Sequence, residues 1–105
     1  MNFIGQTVDV SSMDALKKLC FDFKNSLDNH VAVLVSNIEG KAAVAVGISD
    51  SVVSGLELDA GKIIKATVAP LIKGGGGGQK NLATAGGQDV SRLPEVILQV
   101  KMLLG

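Results

Sequence analysis

The chain has 105 residues, 47 % of them apolar, which suits one domain of ordinary size whose core needs no covalent staple. Ten basic and ten acidic side chains cancel, so bulk charge lends no support to nucleic-acid binding. One cysteine excludes an internal disulfide, and one cysteine with one histidine cannot supply a four-ligand zinc site.

Residues 3–10 alternate loosely, with Ile4, Val8 and Val10 apolar, and suggest a first strand. Ser11 or Ser12 caps a helix in which Met13, Leu16, Leu19, Cys20, Phe23 and Leu27 recur at three- and four-residue steps. Asp28, Asn29 and His30 end that helix. Residues 31–38 are β-branched and short enough for a buried strand. Glu39-Gly40 then makes a tight turn, and residues 42–48 return as the hairpin partner. Cys20 reads as a buried small hydrophobe on the helix stripe, and His30 as a satisfied capping residue and not a catalyst.

Residues 49–55 read as a polar connection. Asp59 is the N-cap of a second helix, with Ile63, Ile64, Val68 and Leu71 on its apolar side and Lys62 and Lys65 elsewhere. Pro70 near its end calls for a kink or an early stop. After the glycines, residues 82–85 form a short strand or extended segment. Asp89 or Ser91 caps a last helix over 92–104, with Pro94 in its first turn and an apolar face of Val96, Ile97, Val100, Leu103 and Leu104. The order β-α-β-β-α-β-α describes an α/β (α+β) protein, a single mixed sheet layered with about three helices. Neither a repeat nor a second domain is visible, so residues 1–105 read as one domain. An opening directly on a strand, with no catalytic segment ahead of it, suggests a piece of something longer.

No membrane span is expected, since the longest wholly apolar stretch, residues 42–48, is far too short to cross a bilayer. Met1-Asn2-Phe3 begins no signal-peptide pattern, so the default setting is cytoplasmic. Catalytic chemistry is thin: acids are scattered singly and no base stands beside a nucleophile. Gly40-Lys41 and Gly61-Lys62 are followed by Ala42 and Ile63 and lack the earlier glycine of a phosphate-binding P-loop.

The chemistry that remains is anion binding without catalysis. Gly74, Gly75, Gly76, Gly77 and Gly78 form an unbroken run, and glycines lose more backbone entropy on ordering than any other residue. A flexible linker is the bland reading of such a run. Its place between a strong helix pattern and an apolar segment, without serines, argues instead for an ordered functional loop. A backbone without Cβ atoms lets a large ligand approach and can turn several N–H groups towards it. Lys73, Lys80, Gln79 and Asn81 converge on the same stretch. No acid occurs between Asp59 and Asp89, while Lys62, Lys65, Lys73 and Lys80 do. The last helix, beginning near Arg92, directs its N-terminal dipole to this region. With three phenylalanines and no tyrosine or tryptophan, stacking on single strands is not expected; recognition of a structured RNA backbone fits better. Neutralising about four phosphates would make log K fall with log salt at a slope of roughly −3.

Residues 74–87, GGGGGQKNLATAGG, resemble the glycine-rich signature of DHH-associated domains, most closely the C-terminal domain of alanyl-tRNA synthetases. The likeness extends over nearly the whole chain. It includes the hairpin end Val46-Gly47-Ile48-Ser49, Ala60-Gly61-Lys62 before the second helix, and the closing stretch from Gly86-Gly87 through Arg92 to Glu95. The resemblance implies a non-catalytic module that binds the elbow of the alanine tRNA and helps aminoacylation and editing act on one tRNA. It implies no cofactor here, because the ATP, Mg2+ and Zn2+ of such a synthetase belong to other domains. Those domains are implied partners. Family members often carry Arg-Pro where Gln79-Lys80 stand, and a basic residue among the glycines, so Lys80 or Lys73 supplies the charge instead. Two alternatives stand beside this reading. One is the substrate-binding half of a DHH phosphoesterase, which needs upstream metal ligands and usually a histidine where Gln79 stands. The other is a homodimerisation module using an aliphatic helix face or a sheet edge.

Overall fold

The computed structural model describes residues 2–26, 30–56 and 58–103. Its centre is the hairpin of β2 (His30–Ile38) and β3 (Lys41–Ile48), whose near-continuous apolar runs are buried on both faces. Val31, Val33, Val35, Val44, Val46 and Ile48 enter one core, while Ala32, Leu34, Ala43 and Ala45 enter the other. Glu39 (φ 52°) and Gly40 (φ 82°) form the two-residue turn, with both φ values positive as a type I′ turn requires. The Gly40 N–H donates to the Asn37 side-chain oxygen at 2.9 Å.

On one side, β1 (Asn2–Thr7) runs parallel to β2, joined by the crossover helix α1 (Met13–Ser26). The strand stops at Thr7, short of the expected Val10; Val8 and Val10 pack against the core beneath α1. Ser12 is the cap: its hydroxyl accepts the Ala15 N–H at 3.1 Å. Leu27, Asp28 and Asn29 lie outside the described residues. The α1 core is floored by small residues, so the helix sits close to the sheet; a Cβ on Gly47 would lie 2.8 Å from Cys20 Sγ.

Burial pushes the Cys20 thiol up to about 12 from 9.0. The folded value is the higher, so between 9.0 and about 12 the unfolded chain loses a proton that the folded chain keeps. This contribution to stability is intact below pH 9.0 and falls as pH rises through that window. Labelling of Cys20 by a thiol reagent is expected to be slowed more than about 100-fold by folding. Equal rates in buffer and in denaturant would contradict this burial.

The other face of the sheet carries two helices. Asp59 caps α3 (Ala60–Ile63) as expected, its carboxylate accepting the Lys62 N–H at 3.2 Å. The chain then widens into a π-helical turn, Ile64–Val68, and resumes as α4 (Ala69–Ile72). Pro70 has no N–H to donate, and in a regular helix its ring crowds the Ala66 carbonyl. The wide turn, in which the Ala69 N–H returns to the Ile64 carbonyl, absorbs both problems. The helix therefore does not stop at Pro70. Ile72 is buried, while Leu71, placed by periodicity on the apolar side, is half-buried.

The last helix, α5 (Leu93–Leu103), buries Leu93, Val96 and Val100. Leu103 is exposed, contrary to its place in the expected apolar face, and Leu104 lies outside the described residues.

Two elements were not legible in the sequence. The connection after β3 is a short helix, α2 (Asp50–Leu56), with Val52 buried and the Ser49 carbonyl accepting the N–H groups of Val52 and Val53. The Ser49 hydroxyl accepts the His30 N–H at 2.9 Å and donates to the His30 carbonyl at 3.2 Å. His30 thus opens β2 and is not the helix cap that its sequence position suggested.

The second correction concerns the glycines. They are not a loop: β4 (Gly74–Gly78) is an edge strand, antiparallel to β5 (Leu82–Gly87). β5 in turn pairs with β3, which gives the sheet order β1-β2-β3-β5-β4. The fold class is the mixed α+β architecture expected, with one five-stranded sheet.

Candidate nucleic-acid interface

The register brings the two glycine groups side by side, Gly74 opposite Gly87 and Gly75 opposite Gly86. Alternate glycines of β4 face β5 directly. A Cβ on Gly76 would lie 2.6 Å from Ala85 Cα, and one on Gly78 would lie 2.6 Å from the Leu82 carbonyl oxygen. A Cβ on Gly74 would overlap the Gly86 carbonyl, and one on Gly87 would overlap the Ile72 carbonyl. Real Cβ atoms essentially never come within 3.0 Å of such neighbours. Gly75, by contrast, has nothing within 4 Å of its Cβ position. The run is therefore partly structural, at 74, 76 and 78, and partly open, at 75.

The 60–72 helix packs against β4 from one side, through contacts of α3, the π turn and α4. α1 packs on β2, β3 and β5 on the opposite face of the sheet, and four of the five β4 glycines are exposed. Two clefts open along that face. One, of about 370 Å³, is lined by Met13, Lys41, Lys73, Gly74, Gly86 and Gly87 among others. The second, of about 440 Å³, is lined by Lys17, Phe21, Gly77, Gly78, Gln79 and Thr84 with Leu82 and Ala83.

The turn of Gln79, Lys80 and Asn81 is firmly held. The Gln79 N–H donates to the Leu82 carbonyl at 2.9 Å, the Ala60 N–H to the Lys80 carbonyl at 2.8 Å, and the Ile48 N–H to the Asn81 carbonyl at 2.8 Å. Asn81 Nδ2 also donates to Asp50 Oδ1 at 3.2 Å, which commits part of this side chain to the fold. Lys73 takes a left-handed conformation (φ 53°) where α4 turns into β4, and both Lys73 and Lys80 are exposed. They flank β4, whose five residues span about 17 Å, Lys73 directly before it and Lys80 two residues after it.

Arg92 is less available than its sequence position suggests. Its guanidinium pairs with Glu95 at 3.5 Å, and both side chains are about half exposed. Asp89, whose N–H donates to the Ile72 carbonyl, lies between Lys73 and Arg92 in its electrostatics. Hydrogen bonds from the Ser91 hydroxyl and N–H, then the charges of Lys73 and Arg92, hold its carboxyl below its usual value of 3.8. A depressed folded value means that ionised Asp89 stabilises the chain above 3.8, and that this contribution is lost as pH falls through the folded value. Asp89→Asn should therefore lower the melting temperature at about pH 7 and have little effect at about pH 2. Thermal melts at both pH values check it; equal losses would refute it.

Lys65, Lys17 and Phe21 also border this candidate surface and were not among the residues expected from sequence. Lys65 Cε would lie 3.3 Å from a Cβ on Gly77, so its side chain lies beside the strand on the helical side. Lys65 falls in the acid-free interval, which was the available signal. Lys17 and Phe21 sit on α1, far away in sequence, and gave none.

Among the described residues no group of three or more His, Cys, Asp or Glu is placed to hold a metal ion, and no helix is long and apolar enough to cross a membrane. The DHHA1 domain profile matches residues 1–105. An alanine–tRNA ligase from Cytophaga hutchinsonii is 38 % identical over 104 residues, spanning 99 % of this chain and 12 % of that relative. One from Trichodesmium erythraeum is 42 % identical over 88 residues, or 84 % of this chain and 10 % of the relative. The crystal structure of the C-Ala domain of Aquifex aeolicus alanyl-tRNA synthetase superposes with a TM-score of 0.87 at 24 % identity, covering 97 % of this chain and 89 % of that one. The chain belongs to the DHHA1 domain family, and it is similar along nearly its whole length to a segment of alanine–tRNA ligases.

Proposed function

We propose that the chain is a non-catalytic tRNA-binding domain of an alanine–tRNA ligase, working in the cytoplasm with the other domains of that enzyme as its partners. One observation carries the reading: a largely exposed edge strand of bare main chain, with lysines at both ends and beside it. Phosphate oxygens can reach such a backbone, and Lys17, Lys65, Lys73 and Lys80 supply the charge. The domain itself needs no cofactor; ATP, Mg2+ and Zn2+ serve the ligase elsewhere. Binding the elbow of the alanine tRNA would hold one tRNA in place for both charging and editing.

Titration with an alanine tRNA transcript and an unrelated tRNA, each at two salt concentrations, tests this. The expected result is binding with a log–log slope of roughly −3. Binding without salt dependence, or none at low salt, would refute it. A second reading is favoured by α5, which leaves Leu98 at 54 %, Met102 at 65 % and Leu103 at 54 % exposure. This apolar stripe suits a protein contact, with another ligase domain or a second copy. Light scattering of the chain across a concentration series separates a dimer from a monomer.

A further inference from the structure

Of the three phenylalanines, Phe3 and Phe23 pack against the two cores, whereas Phe21 is 46 % exposed and lines the cleft between α1 and the turn end of β4. We propose that this cleft is a stacking pocket for one unpaired nucleobase of the bound RNA, with Phe21 as its platform. The inference rests on the RNA-binding reading and deepens it.

Four features of the cleft agree. Its volume, about 440 Å³, lies in the range that takes a single small ligand such as a nucleotide. Gly77 and Gly78 form part of its wall without side chains, so a flat ring can lie close to the main chain. Thr84 and Gln79 border it, and a hydroxyl and an amide can each donate and accept at the edge of a base. Lys17, one helical turn before Phe21 on the same face of α1, borders it too and can meet the adjoining phosphate. An aromatic face gains by stacking on any base, so the pocket adds affinity with little sequence preference. It also adds the middle of α1 to a surface that Met13, at the start of that helix, already borders.

The chain contains no tryptophan, so Phe21→Trp supplies a sole fluorescent reporter. With an alanine tRNA transcript, this variant should lose emission in step with binding. A perfectly paired RNA duplex should bind with a similar salt slope and leave the emission unchanged. Phe21→Leu should weaken tRNA binding about 10-fold with its salt slope intact, and native circular dichroism shows that the fold is kept. Lys17→Gln should instead lower the slope by about one contact. If the tRNA binds with the full slope while Trp emission and the Phe21→Leu affinity stay unchanged, the pocket is wrong and backbone docking survives. Equal quenching by the duplex overturns it as well. If no RNA binds at all, pocket and docking surface fall together.

Discussion

Gly76→Val is expected to lower the melting temperature by roughly 10–20 °C, while Gly75→Val melts within a few degrees of the parent chain. The two positions are neighbours in the same strand, and composition alone gives no reason to separate them. At Gly76 the first side-chain atom points at β5, 2.6 Å from Ala85 Cα and 2.8 Å from Ala85 Cβ. The strand must move away or break its pairing. Overpacking of this kind costs about 1–3 kcal/mol in a well-packed site, a large share of the stability of a small domain. At Gly75 the side chain enters open space, and the backbone there does not lie in the positive-φ band that disfavours L-residues. Valine also suits an edge strand. Thermal circular dichroism of both variants decides the matter, and matching melts would show that the glycines are not sorted by steric need. Gly75→Val has a second use. It should fold and yet hold a phosphate backbone away from the main chain, so tRNA binding should weaken without loss of structure. A tight-binding Gly75→Val chain would argue that RNA does not approach the bare strand.

Lys73→Ala with Lys80→Ala is expected to weaken tRNA binding about 100-fold at roughly 0.1 M salt, and to flatten the salt slope from roughly −3 to about −1.5. Each lost phosphate contact removes about one released counterion, which near that salt concentration is worth about a factor of ten. Both side chains are exposed at opposite ends of β4 and enter neither core, so the melting temperature should hardly change. An unchanged slope with unchanged affinity would move the docking surface elsewhere. The remaining slope is assigned to Lys17 and Lys65, which face the strand from α1 and from the π turn.

The sequence revealed most where burial imposes a period. β2 and β3 are apolar on both faces, and the stripe through Leu16 and Cys20 lies on one side of α1, so pattern and structure agree. Asp59 and Ser12 were readable as caps because a short oxygen-bearing side chain ahead of a helix has a specific bond to make. The glycine run carries no period at all. Only its register with β5 makes it a strand, and that register depends on residues 82–87 closing against β3. α2 was hidden because Ser51, Ser54 and Gly55 read as loop chemistry, although Val52 supplies a buried anchor. The lysines flanking the glycines were visible in sequence. Lys17 and Phe21 were not, since the crossover geometry of β1-α1-β2 carries them to the cleft from far upstream. For Arg92 and Asn81 the residue types were visible in the sequence, but their partners Glu95 and Asp50 were not.

A strand without side chains is fastened to its sheet by main-chain bonds alone. Few apolar atoms leave water when β4 docks, and five glycines must each surrender wide conformational freedom. Its amides should therefore exchange with solvent sooner than those of β2 or β3, through local openings that leave the rest of the molecule folded. A nucleic acid that settles on this edge must quiet those openings. Part of its grip is spent on ordering the protein, so protection of β4 amides should rise on complex formation more than that of any other strand.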